Sequence, residues 1–239
     1  MKNGQKGFSI LELTLSASLL LVVFFVVFAL FELGTQNFHV GLMRNEVQND
    51  VRKAWLHLER DLRQTTLVGV TTTSGAAHNV TVSVKQSNVS VARAFLCMPG
   101  LSNWTPTAPT FSPTTGLPRW DRYVLYQTTK DNPDGRLYRI DVDTIATFQG
   151  GPFSGFAAAV ASLGGGPPTL TTVFAGGQKV VNIKCLSKSV FSFEAVSSPT
   201  EVQVILKIRG KNKAEAGQGA RDETFEVNLK ITPNNAMQG

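Results

Sequence analysis

The sequence predicts an α+β chain: one long N-terminal helix, transmembrane in its first half and amphipathic in its second, packed on an antiparallel β-rich head. Three observations predict this. Residues 8–33 are almost wholly apolar. Apolar residues then recur at Phe38, Met43, Val47, Val51, Trp55, Leu58 and Leu62, mostly in steps of three and four, the period of one helix face. Past Thr66 the period changes to two, and Ser, Thr, Gly and Asn become frequent.

The chain has 239 residues, enough for one sizeable domain and an added element. The stretch from Leu13 to Phe31 suffices to cross a bilayer core of roughly 30 Å at about 1.5 Å per residue. A secretory signal shares its basic start, but no small-residue cleavage region follows; Glu32-Leu33-Gly34-Thr35 does not resemble one. Lys2 and Lys6 precede the span and orient it with the N-terminus cytoplasmic and the head periplasmic. Formal net charge is +6, and +4 without Lys2 and Lys6. That modest excess, with no long basic run, gives nucleic-acid binding little support.

Glu12 breaks the apolar pattern, lying among Ile10, Leu11, Leu13 and Leu15. A carboxylate at mid-bilayer costs roughly 2.5–3.5 kcal/mol, less near an end. An interfacial position that reaches water would lower this cost. So would a partner charge.

The helix is expected to continue through residues 34–66 with an apolar stripe on the sheet. Arg44, Gln48, Asn49, Arg52, Lys53, Arg60, Asp61 and Gln64 fall on the opposite face. Gly34 and Gly41 allow a bend, and the helix should stop near Thr65–Thr66. In the head, residues 67–239, Val80–Val84 alternates and Val89–Cys97 forms one β-branched run. Pro and Thr predict a long loop over 99–118. Arg122–Thr128 and Arg136–Val142 flank a turn over 130–135, the pattern of a hairpin. Residues 148–172 read as irregular, and 179–186 with 189–195 as a strand pair. The clearest hairpin joins Glu201–Arg209 to Thr224–Ile231 through a charged, Gly-rich segment.

Cys97 and Cys185 both lie in strand-like surroundings past the span. An extracytoplasmic head would allow them a disulfide, worth about 4–5 kcal/mol in the chain-entropy view. Two separate buried thiols are the alternative.

Gly7-Phe8-Ser9-Ile10-Leu11-Glu12, after a short basic leader and before a long apolar helix, resembles the prepilin peptidase recognition sequence of type IV pilins and type II secretion pseudopilins. The resemblance implies a pilin fold and a leader of residues 1–7 cut between Gly7 and Phe8. It also implies N-methylation of Phe8, and Glu12 paired with the N-terminal amine of a neighbouring subunit. An acid and an ammonium buried together offset each other's desolvation, whereas either alone is expensive.

Many major pilins carry a helix-breaking Gly or Pro in the membrane half of the stem; residues 8–33 contain neither. The Leu58-Glu59-Arg60-Asp61-Leu62-Arg63-Gln64 stretch and the closing strand pair resemble larger minor subunits, the PilW-type minor pilins and J-type pseudopilins. The implied role is a minor subunit that primes filament assembly at the tip of a type IV pilus or type II secretion pseudopilus. The implied partners are the prepilin peptidase/methylase, other minor and major pilins or pseudopilins, the inner-membrane assembly platform and the lipid bilayer.

No catalytic constellation is legible. His39, His57 and His78 show no metal-ligand spacing, the cysteines form no CxxC, and G-x-S-x-G is absent. Asp131, Asp134, Asp141 and Asp143 do not match a calcium loop, and turn chemistry accounts for them. The chain is read as non-enzymatic, without cofactor or metal. The alternative is a tip subunit that captures DNA or a surface through Trp104, Trp120, Tyr123, Tyr126, Arg119 and Arg122, residues that serve equally well in packing.

Overall fold

A computed structural model of the chain describes residues 9–73, 78–84, 87–105, 108–148, 151–153, 155–163, 165–166, 169–174, 176–211 and 222–233. It divides into two units, Met1–Asn45 and Glu46–Gly239. One helix, α1, runs Ile10–Gln64 without interruption, so Gly34 and Gly41 do not break it. It ends within two residues of the expected stop.

In the first unit the apolar side chains of α1 are exposed from Ile10 to Leu33. In the second, the helix from Glu46 onward joins a compact head. Its strands are β1 Thr71–Thr73, β2 Asn79–Val84, β3 Ser87–Ala92, β4 Phe95–Gly100, β5 Trp120–Thr128, β6 Gly135–Phe148, β7 Lys179–Ser197, β8 Val202–Lys211 and β9 Asp222–Ile231. Seven of them form one antiparallel sheet in the order β1-β4-β5-β6-β7-β8-β9, and β2 and β3 form a separate hairpin. The β8–β9 hairpin is in register from Val202↔Ile231 to Lys211↔Asp222. The segment expected to join them lies, for 212–221, outside the described residues.

The sheet has two covered faces. On one, Val47, Ala54, Leu58 and Leu62 of α1 pack with Leu96, Tyr126, Phe193, Leu206 and Leu229, and Val51 and Trp55 lie against the cluster. This is the predicted stripe, and each fully buried large apolar side chain contributes about 1.5–3 kcal/mol. The other face, over β4 to β7, is covered by residues 148–174. There Phe148 stacks on Tyr123 with centroids 4.5 Å apart, and Phe153 and Phe174 close the cluster. Residues 148–172 are not wholly irregular, because Phe156–Ser162 forms a short helix, α2, whose Phe156, Ala159 and Val160 are buried.

Two further expectations change. The run Val89–Cys97 is broken at Arg93, because β3 pairs in the hairpin while β4 joins the main sheet, and one backbone must kink to serve both. Arg93 turns inward at the kink and is fully buried. It donates to Val190 O and, at 3.1 Å, to Pro133 O. Its guanidinium approaches so closely that a Cβ on Gly135 would lie 2.7 Å from it and 2.5 Å from Thr129 O, which accounts for glycine there. Residues 179–186 and 189–195 are not a pair but one strand. β7 pairs with β6 from Lys179 to Val190 and with β8 from Val190 to Ser197, so its alternation resets where the neighbour changes.

The cysteines are both free, Cys97 buried and Cys185 half-buried. The register Cys97↔Leu125↔Ile140↔Ile183 puts β5 and β6 between their strands. Three strand spacings amount to about 14 Å, roughly twice the Cα separation a disulfide tolerates. The expected bridge is therefore corrected to two separate thiols. Burial raises the pKa of each.

Candidate functional site: the helix start and the helix–sheet clamp

Gly7 and Phe8 lie outside the described residues. The description begins at Ser9, which caps α1. Its backbone N–H donates to Glu12 Oε2 at 3.1 Å, and its Oγ accepts from Leu11 N–H at 3.3 Å. Leu13 N–H donates to Ser9 O at 3.2 Å. Ser-x-x-Glu thus forms a reciprocal capping box, and the carboxylate also sits at the positive end of the helix dipole. Glu12 therefore has an intrachain role that the sequence reading missed, although the Ser9-to-Glu12 spacing is its standard signature.

Farther along, the hydroxyls of Thr14 and Ser18 donate to Leu11 O and Leu15 O at 3.0 and 2.9 Å. These bonds satisfy polar groups that water cannot reach in a bilayer. α1 is long and apolar enough to cross a membrane, with a mean hydropathy of 2.7 over its most apolar window and none of that window buried.

Asp61 departs from expectation. It is buried on the sheet side of α1 rather than on the polar face. Arg139 Nε of β6 donates to Asp61 Oδ2 at 2.5 Å, and Tyr126 OH of β5 donates to the same oxygen at 2.8 Å. Arg60 donates to Asp61 Oδ1 through Nε and Nη2 at 3.1 and 3.0 Å. Arg139 Nη1 also reaches Asp141 Oδ1 at 2.6 Å, and Asn182 Nδ2 of β7 reaches Asp141 Oδ2 at 2.9 Å. Burial opposes the Arg139 charge, but the hydrogen bond and charge of Asp61, with Asp141, raise its pKa. Burial, reinforced by the Asp61 charge, raises the Tyr126 phenol well above its ordinary value.

The cluster is thus an ionised clamp that ties the last turns of α1 to β5, β6 and β7. Its members share hydrogen bonds rather than presenting a nucleophile to solvent. Removing one partner from such a buried pair is costly, whereas the intact pair contributes little. Periodicity alone could not find it. A short acidic residue at the border of the stripe reads as surface until the sheet presents an arginine opposite.

The residues considered for a tip-binding role separate. Trp120, Tyr123 and Tyr126 are buried and pack the core, while Arg119 and Trp104 are exposed. His57 lies between Arg60 Nη2, 3.4 Å from its Nδ1, and Lys184 Nζ, 2.8 Å from its Nε2. Burial, then the charges of Lys184 and Arg60, lower its pKa. Asp131 Oδ2 accepts from the Thr129 hydroxyl at 2.8 Å within the β5–β6 turn. No family model, curated protein or solved structure matches the chain.

Proposed function

We propose that this chain is a minor pilin-like subunit of a type IV pilus or type II secretion pseudopilus. It is cut between Gly7 and Phe8 by a prepilin peptidase, methylated on Phe8 and built into the filament near its tip, where it primes assembly. Its α1 spans the inner membrane with the N-terminus cytoplasmic and the head periplasmic until it enters the filament. The subunit carries out no chemistry of its own; its interactions are with other pilins or pseudopilins, the assembly platform and lipid.

The observation that carries this reading is the position of Gly7-Phe8-Ser9-Ile10-Leu11-Glu12 at the start of an unbroken helix. The exposed apolar surface of that helix gives way to an amphipathic stretch clamped on an antiparallel sheet.

The capping box supplies the test. Gln can replace Glu in a capping box, but it carries no charge for a neighbour's amine. Glu12→Gln should therefore leave a cut, membrane-held subunit that no longer appears in sheared filaments, by immunoblot of both fractions. Wild-type incorporation of Glu12→Gln would mean that Glu12 only caps its own helix, and would contradict the filament role given to it.

A further inference from the structure

A cleft of about 320 Å³ opens beside the clamp. Its floor is Asp61, Arg139 and Asp141, already committed to one another. Its walls include Arg60, Arg122, Trp104 and Leu101. The volume is at the lower end of the range for small-molecule sites.

Arg122 is the unusual member. Its Nε is buried and has no hydrogen-bond partner. The nearest carboxylates lie beyond hydrogen-bond reach, Asp121 at 4.0 Å from Nε and Asp143 at 3.8 Å from Nη2. Asp121 is held elsewhere. Its Oδ1 accepts from Ser102 N–H at 2.8 Å, and its Oδ2 accepts the Ser102 hydroxyl. A buried donor left in this state costs free energy unless something answers it.

The same Ser102 contact fixes the loop that carries Trp104. Thr105 N–H donates to Asn103 Oδ1 at 2.9 Å, and the Thr110 hydroxyl donates to Asn103 O at 2.8 Å. Trp104 stands edge-to-face on buried Trp120 with centroids 6.2 Å apart, yet remains 41% exposed. A rigid aromatic plate therefore faces solvent at the cleft. Among the lining side chains Arg60, Arg122 and Arg139 oppose Asp61 and Asp141, which leaves one positive charge. One charge suits a monoanion, and the two carboxylates of the floor repel a dianion.

We propose that this cleft binds an organic carboxylate on a planar or apolar body, the carboxylate on the Arg122 guanidinium and the body against Trp104 and Leu101. Planar guanidinium–carboxylate pairing and aromatic contact are the two recognition elements. The carboxylate belongs either to a free small acid or to the C-terminus of a polypeptide.

Calorimetric titration of the full chain in detergent micelles tests the site. The probes are N-acetyl-phenylalanine, its uncharged amide, the tripeptide glycyl-glycyl-phenylalanine and inorganic phosphate. The acid should bind saturably. The amide, and the acid with Arg122→Gln, should each bind about tenfold more weakly, the factor a lost charge-assisted contact produces. Trp104→Ala should weaken the acid several-fold. Tighter binding of the tripeptide than of the acid upholds the site and assigns it to a chain terminus; equal or weaker binding upholds it and assigns it to small acids. Equal binding of acid and amide, no saturable binding, an unchanged Arg122→Gln, or phosphate competing as well as the acid would each overturn the proposal. Should Arg122→Gln fail to fold, the acid–amide comparison on the wild-type chain decides alone.

Discussion

Two stretches of α1 are equally helical but differ in where their apolar surface goes. From Ile10 to Leu33 the large apolar side chains are exposed, Leu20 at 58% and Phe25 at 73%. From Glu46 to Gln64 they are buried, Leu58 at 2% and Leu62 at 0%. The second stretch finds its cover within the chain, on β4 to β9. The first has no such cover among the described residues, and an apolar surface of this kind is stable only when lipid or other helices enclose it. Apolar content alone does not separate the two stretches. The polar face does, since only the second stretch has one.

The contrast can be broken at several points, with effects of decreasing size. The largest should come from the clamp. Arg139→Leu strips a partner from two buried carboxylates and should cost about 3–5 kcal/mol of head stability, read from denaturant unfolding of the full chain in micelles. A paired truncation sharpens the comparison. Leu58→Ala should cost the head about 2–5 kcal/mol, whereas Leu20→Ala should leave the same transition within about 0.5 kcal/mol. An equal loss from both would mean that the two stretches share one core.

The smallest effect concerns His57. Its folded pKa lies below its ordinary value, so the unfolded chain takes up a proton that the folded chain resists. Stability is then complete above about pH 6.5 and falls as pH drops below it. His57→Gln should flatten that acid slope. It should leave the share of His78, which burial and Lys130 lower in the same direction. An unchanged slope between pH 7 and pH 5, measured by denaturation at each pH, would contradict the placement of His57 between Arg60 and Lys184.

The parts of the fold legible in the sequence are those whose physics is local. The span, the amphipathic stripe and the β8–β9 hairpin are periodic signals, and each occurs where the pattern puts it. The parts that were not legible depend on partners distant in sequence. β7 looks like two strands because it changes neighbours at Val190. Arg93 sits in an apolar run because two carbonyls from distant turns receive its guanidinium. α2 is too short to show a helical period and becomes visible only through the aromatic cluster it covers. Asp61 is the instructive case, since its burial depends on Arg139 and Tyr126, neither of which the stripe could announce. The cysteine pair failed for a related reason: composition does not reveal which strands intervene.

The central claim is that the exposed stretch belongs to a processed, filament-forming subunit, and mass spectrometry of the N-terminus tests it most directly. The chain isolated from cells that make a prepilin peptidase should lack residues 1–7 and begin at a Phe8 carrying one added methyl group. A chain that keeps Met1, or one cut at any other bond, would contradict it.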